Sequence, residues 1–356
     1  MDGIPFDYAG CASGEDFIGR KGDVSKLRDL IRRRKNILLN DIESAGKESL
    51  VEEAFSGLKR ESPNYCLCTV DLFNVRSSGA FAVKLYNSVA ESVHSSGMVP
   101  VSDMGEYISD KCVAELLDCC ESFCVSKGCS PVILLKEFQN TALFQDAEKF
   151  FGLLDSVWSR HEGVTYILCG SGVNLMKYVF EGKKYLYGFA EPLELSKIDS
   201  GDFQRYINRT FLKAGKVIEK YQIEKICRVT DCHPGYLRQL CAICYGLTRG
   251  YVTDEMVDVS IKMLLRIHGP YFVSAMDGIT ANQIRFVQAV IDGNDRFSSE
   301  NVISKYGLRS SANVFRVKEA LQKKEVVTFD SGERAWIMDP VFRYWLENYY
   351  FANKKI

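Results

Sequence analysis

Three segments limit what this chain can fold into: Ile37–Leu39, Pro131–Leu135 and Val164–Cys169 are apolar almost without interruption. A strand with one wet face alternates apolar and polar residues, whereas a strand that is apolar throughout needs cover on both faces. Amphipathic helical patterns separate these runs. The pattern after residue 47 places Leu50, Val51, Ala54, Phe55 and Leu58 on one face, with Glu52, Glu53 and Lys59 outside. Tyr65–Leu72 reads as a further strand and a fifth is expected near Phe189–Leu195. Helices are expected over residues 79–95, 105–127 and 146–160. Alternating strands and helices of this kind predict an α/β fold with a parallel sheet and helices on both faces.

From Ser200 the strand signal stops. Helical patterns follow at 203–214, 217–229, 236–247 and 254–266, and are expected to end near His268-Gly269-Pro270. The last segment reads as three short helices (280–291, 298–306, 311–323) and two strands (326–329, 335–338) around a turn at Ser331-Gly332. That is the pattern of a winged helix. The expected division is therefore an α/β domain over 1–198, a helical domain over 199–275 and a winged helix over 276–356.

The chemistry concentrates after the first apolar strand, in Asp41-Ile42-Glu43-Ser44-Ala45-Gly46-Lys47-Glu48-Ser49. A phosphate-binding loop follows G-x-x-x-x-G-K-[ST]: backbone N–H groups wrap the phosphates, the lysine pairs with the outer ones and the hydroxyl holds Mg²⁺. Gly46 and Lys47 stand in place, while Asp41 occupies the first glycine position and Glu48 the hydroxyl position.

Taken in order, the motifs resemble the STAND branch of AAA+ P-loop ATPases, within it the predicted prokaryotic and archaeal ATPases that carry a C-terminal winged helix. Phe17-Ile18-Gly19-Arg20 resembles the family's F-[VI]-G-R box, which lines the adenine pocket. Ala45-Gly46-Lys47 resembles the phosphate loop, followed by Glu48 and Ser49. Leu134-Leu135-Lys136-Glu137-Phe138-Gln139 resembles an apolar-D-E-F-Q motif, with Glu137 at the position of the catalytic base. Cys169-Gly170-Ser171 resembles the polar sensor, and Tyr185-Leu186-Tyr187-Gly188-Phe189 a P-L-Y-G-R motif. Cys232-His233-Pro234-Gly235-Tyr236-Leu237 resembles the lid motif G-x-P-x-[YL]-L, whose proline lies against the nucleotide, and Asp339-Pro340-Val341-Phe342-Arg343-Tyr344-Trp345 a D-P-x-[FL]-x-x-W motif. The resemblance covers nearly the whole chain and implies a sheet order of 5-1-4-3-2.

It also implies ATP or ADP as ligand, which the departures from the pattern weaken. Asp41 replaces a glycine that would allow a tight turn and close phosphate approach. Glu48 replaces the Mg²⁺-ligating hydroxyl, Lys136 the aspartate that holds the metal's water, and Phe189 an arginine able to answer γ-phosphate charge. Bound Mg²⁺ is accordingly not expected, and Glu137 is left as a vestigial base. Glu48 and Lys136 have two readings: independent drift, with both side chains in solvent, or an internal ion pair in which an ammonium takes the cation's place.

The whole chain narrows the alternatives. Its 356 residues carry 45 basic and 46 acidic side chains, so no overall basic excess points to nucleic acid. No apolar run approaches the roughly 20 residues of a membrane span, and the first residues make no signal peptide, so a cytoplasmic protein is expected. The thirteen cysteines read mainly as buried thiols; Cys227, Cys232, Cys241 and Cys244 lack the two tight pairs of a structural zinc site. His94, His161, His233 and His268 are scattered. Arg309, Arg316, Lys318, Lys323 and Lys324 near the third winged-helix segment leave DNA as a lesser expectation. The leading expectation is a switch or interaction scaffold with a protein partner or self-association, its Mg²⁺-dependent hydrolysis lost. An ATP-binding switch with altered metal use and a DNA-binding regulator stand as alternatives.

Overall fold

The computed structural model describes residues 5–92, 101, 108–182, 185–330, 332 and 334–352. The chain divides into two units: one made of Arg20–Glu43 and Lys47–Ser196, the other of the chain up to Gly19, Ser44–Gly46 and the residues from Lys197 onward.

The first unit holds α1 (Lys21–Arg32), β1 (Ile37–Asn40), α2 (Lys47–Glu61), β2 (Tyr65–Asp71), α3 (Ser78–Ser92), α4 (Asp110–Ser126), β3 (Ser130–Lys136), α5 (Ala147–Trp158), β4 (Thr165–Gly170), α6 (Val173–Glu181) and β5 (Glu191–Pro192). The strands pair in the order β2-β3-β4-β1-β5, every pair parallel. This is the 5-1-4-3-2 order expected from the sequence, read from the other edge. The apolar strands are the interior ones: Val132–Leu135 and all of β4 are buried, as strands covered on both faces must be. Trp158 stacks on Tyr166 with ring centroids 4.6 Å apart. Phe189 packs at 5.2 Å against the same Trp158, so the residue at the expected arginine position serves the core.

Two elements differ from the reading of the sequence. β5 spans two residues instead of seven; Glu191 and Leu193 donate to the carbonyls of Asn36 and Leu38, and Pro192 between them turns its nitrogen to the open sheet edge, where a strand tolerates proline. Helix α6 was absent from that reading, although Val173, Met176, Val179 and Phe180 have helical spacing and the last three are buried. The expected helical residues 93–95 and 105–107, with His94, lie outside the described residues.

The second unit is helical, with α7 (Ser200–Lys213), α8 (Lys220–Thr230), α9 (Pro234–Leu247) and α10 (Asp254–Asp277). It continues with α11 (Ala281–Ile291), α12 (Glu300–Tyr306), α13 (Ser311–Lys323), β6 (Val327–Phe329), β7 (Ala335–Ile337) and α14 (Pro340–Trp345). Phe6 is buried against Tyr206, Phe211 and Tyr245 of this unit. The helix expected to stop near Pro270 runs through it to Asp277. Proline forfeits one backbone bond there, but buried Leu264 and Leu265 before it and Phe272 and Met276 after it hold both halves against the core. Phe272 meets Phe342 at 5.2 Å and Trp345 at 5.8 Å. Helices α11–α13 and the antiparallel β6–β7 pair form the winged helix; Gly332 of its turn donates to Asp330 at 2.9 Å, while Ser331 is outside the described residues. Among the described residues no helix is long and apolar enough to cross a membrane.

Candidate functional site

The polar groups of the first unit gather at the carboxyl ends of β1, β2, β3 and β4, where open parallel sheets place their ligands. Behind β1 the loop turns through left-handed backbone at Ser44 (φ 56°) and Gly46 (φ 92°). Asp41 is not in that region, so the aspartate at the first glycine position carries none of the backbone strain that the pattern suggested. Its Oδ1 instead accepts the N–H of Ile42 at 2.8 Å.

Lys47 opens α2 and is only 7% exposed. Its Nζ donates to the carbonyl oxygens of Asp41 at 2.5 Å and Ile42 at 2.7 Å, so the loop's own backbone holds the ammonium. Burial pushes its pKa down, partly opposed by Cys169, Asp41, Glu137 and Glu48.

Glu48 and Lys136 meet. Lys136 Nζ lies 2.9 Å from Glu48 Oε2 and 3.6 Å from Asp71 Oδ2, with the lysine side chain 22% exposed. Burial alone would lower the ammonium's pKa; the hydrogen bond to Glu48 and the charges of Glu48 and Asp71 outweigh it and raise the pKa. Of the two readings of this pair, the structure has the ion pair. Asp71 was not singled out from the sequence, yet it faces Lys136 in the β2–β3 register, and the sheet order would have supplied it.

Glu137 takes a left-handed conformation (φ 57°) just beyond β3. Its Oε2 accepts from Ser171 Oγ at 2.6 Å and from Gln139 Nε2 at 2.7 Å. Gln139 Oε1 in turn accepts the N–H of Ser171 at 3.1 Å. The acidic motif and the sensor therefore form a closed ring, in which Gln139, given no role of its own by the sequence, is a member. Arg20 caps α1 from a left-handed conformation and donates from Nε to the Ser196 carbonyl at 2.8 Å. Burial lowers its pKa against the charges of Asp41 and Asp23. Ser49 is half-buried in the first turn of α2. Thus Arg20, Lys47, Glu48, Ser49, Glu137 and Ser171 belong to the sheet unit, whereas Phe17, Ile18, Gly19, Ala45, Gly46 and Pro234 group with the second. In that second unit Gly19 has φ 64°, Ile18 packs on the helical core and Pro234 starts α9.

A second polar feature lies in the winged helix. Thr280, Asn282, Arg285, Arg309, Asn313 and Arg316 line a groove of about 430 Å³ between the start of α11 and α13. Among the described residues no carboxylate forms an ion pair with the three arginines. Arg285 Nε is buried without a hydrogen-bond partner. Two other basic residues of this segment are engaged: Lys318 stands over the rings of Phe297 and Phe329, and Lys324 donates to the Gly278 carbonyl. Cys241 and Cys244 are fully buried, and among the described residues no three ligand-type side chains are placed to hold a metal ion.

A family described as a probable winged helix domain matches residues 270–348. No curated protein matches the chain. Among solved structures, the Walker-type ATPase of Pyrococcus abyssi is similar at 16% identity, covering 96% of this chain and 99% of its own, with a TM-score of 0.73. The Aeropyrum pernix ORC2 protein, solved in ADPNP–ADP complexes, aligns over 99% of this chain and 98% of its own at 12% identity and a TM-score of 0.61. The Aeropyrum pernix ORC1 protein, solved with DNA, aligns over 96% of both chains at 12% identity and a TM-score of 0.54. The fold is that of a P-loop ATPase followed by a C-terminal winged helix.

Proposed function

We propose that this chain is a STAND-type relative of the AAA+ ATPases that works as a switch or interaction scaffold, with Mg²⁺-dependent hydrolysis lost. One observation carries the reading: the Lys136 ammonium lies 2.9 Å from Glu48 where the resembling family would hold the metal. A divalent ion needs oxygen ligands. Here the carboxylates of Glu48 and Asp71 already face a cation, which would repel a second one, so these side chains do not fit Mg²⁺. Glu137, engaged by Ser171 and Gln139, is a vestigial base with no metal-polarised phosphate to serve. ATP or ADP binds weakly if at all, because Lys47 must leave the carbonyls of Asp41 and Ile42 to reach a phosphate. The α/β part (1–198), helical part (199–275) and winged helix (276–356) then serve a protein partner or a second copy, in the cytoplasm.

Thermal unfolding with ATP, ADP or neither, each with and without Mg²⁺, tests this. A ligand of the folded state at 100 times its Kd adds about 2.7 kcal/mol. The expected result is a small shift or none, unchanged by Mg²⁺. A shift that requires Mg²⁺ would overturn the reading in favour of an ATP-binding switch with altered metal use.

A second reading is favoured by the arginines of the winged-helix groove, which no carboxylate neutralises among the described residues: contact with the phosphate backbone of duplex DNA, as in a DNA-binding regulator. The structural likeness to an ORC1 protein solved with DNA supports it at the level of the fold.

A further inference from the structure

Helix α8 ends in a Schellman motif. Asp231 takes the left-handed position (φ 47°), its N–H reaches the Arg228 carbonyl at 3.4 Å, and the N–H of Cys232 reaches the Cys227 carbonyl at 3.0 Å. In this motif the side chains at the two ends of the longer backbone bond meet, ordinarily as an apolar contact. Here both are cysteines, held one turn apart by the 3.0 Å backbone bond from Cys232 to Cys227. Cys227 is 7% exposed, whereas Cys232 is half-buried and reachable from solvent. Two cysteines whose backbones are joined in this way meet the first condition for a disulfide, closeness of their main chains.

We propose that Cys227 and Cys232 form a reversible disulfide on exposure to a hydroperoxide, covalently fixing the turn between α8 and α9. Cys232 is the attacking sulfur because it is the one solvent reaches; the neighbouring Cys227 thiol and the Lys197 ammonium lower its pKa against the cost of burial. The Cys232 neighbour and burial raise the pKa of Cys227 and keep it a thiol. The Cys232 thiolate attacks one peroxide oxygen, the O–O bond breaks, and the departing oxygen leaves as water or alcohol after taking up a proton. Cys232 is then a sulfenic acid. Cys227 sulfur attacks that sulfur, the S–O bond breaks, and hydroxide leaves as water with the Cys227 proton. Two thiols lose two electrons and the peroxide gains them.

The turn matters beyond itself. Asp231 receives Lys197 at 2.6 Å and Arg343 of α14 at 3.5 Å, so it joins the start of the helical segment to α14. His233 and Pro234 open α9 directly after it.

The molecule carries its own control. Cys66 and Cys129 form a second neighbouring pair, but burial, first, and the neighbouring cysteines push Cys66 up to about 12. The experiment treats the full wild-type chain with hydrogen peroxide, blocks remaining thiols under denaturing conditions, and maps peptides by mass. The expected result is loss of two of the thirteen alkylatable thiols, a 227–232 linkage that a dithiol reductant reverses, and linkage about tenfold faster than for Cys66–Cys129. Cys232→Ser should abolish it, and Cys227→Ser should leave a sulfenic acid trappable at 232. Because the mapping uses wild-type protein, a variant that misfolds does not block the test. Oxidation that bypasses this pair, or that links 66–129 first, would overturn the proposal and leave the two thiols as the apolar contact of a helix cap.

Discussion

The cations at the sheet's carboxyl edge and those in the winged-helix groove differ in one respect: the first are held by carbonyls and carboxylates of the protein, and the second meet no carboxylate among the described residues. Lys47 is held by two carbonyls of its own loop and Lys136 by two carboxylates. Arg285, Arg309 and Arg316 line a groove with amide and hydroxyl neighbours and, among the described residues, no carboxylate partner. A charge that is internally neutralised stabilises the fold, whereas a charge without a partner is available to a ligand. The comparison therefore separates a region kept for its architecture from one still equipped to bind an anion.

The largest expected effect comes from the groove. Each phosphate contact contributes about −0.9 to the slope of log affinity against log salt on duplex DNA. If the groove meets a phosphate backbone, Arg285→Ala with Arg316→Ala should weaken duplex binding about 10–100-fold at low salt and flatten that slope by about 2. Thermal stability of the pair of substitutions reports whether the fold survives, since Arg285 is partly buried. Wild-type protein that fails to shift random duplex at low salt would remove the DNA reading and leave the arginines as a solvated face.

The next effect is at the sheet edge. A charge pair at 4 Å is worth about 4 kcal/mol at an effective dielectric of 20 before desolvation is subtracted. The Glu48 side chain is 40% exposed, so solvent screening brings the net coupling to about 1 kcal/mol. Glu48→Lys and Lys136→Glu should each destabilise the protein, and the double reversal should recover about 1 kcal/mol relative to their sum. Strict additivity in denaturant titrations would mean that the contact contributes nothing to stability, and the contrast between the two regions would lose its first half.

Much of this was legible from the residues alone, for identifiable reasons. The apolar runs at β1, β3 and β4 could only be doubly covered strands, and the sheet order followed the family pattern. The Glu48–Lys136 pair could be posed because both positions converge on one point in the resembling fold. What could not be read depends on neighbours in space. Asp71 joins Lys136 only through the β2–β3 register. Lys47 turns back to its own loop because the surrounding side chains bury it. Helix α10 passes Pro270 because the apolar residues on both sides have a core to meet, something no local propensity encodes.

The smallest effect separates the two lysines by sign. Lys136 has a raised pKa, so its contribution is complete below the ordinary lysine value of about 10.4 and is lost as pH climbs through the higher folded value. Lys47 has a lowered pKa, so its charged form is disfavoured by folding at neutral pH. That cost is relieved as pH rises through the lowered folded value toward about 10.4. Stability measured from pH 8 to 11 in wild type, Lys136→Met and Lys47→Met isolates each lysine by subtraction, because cysteine and tyrosine titrations are shared. The advantage of wild type over Lys136→Met should hold and then shrink above pH 10.4, by about a few tenths of a kcal/mol. Its margin relative to Lys47→Met should instead move in favour of wild type as pH approaches that value. Two differences sloping the same way would show that the ammonium groups are not held as their partners indicate, one by carboxylates and the other by neutral carbonyls.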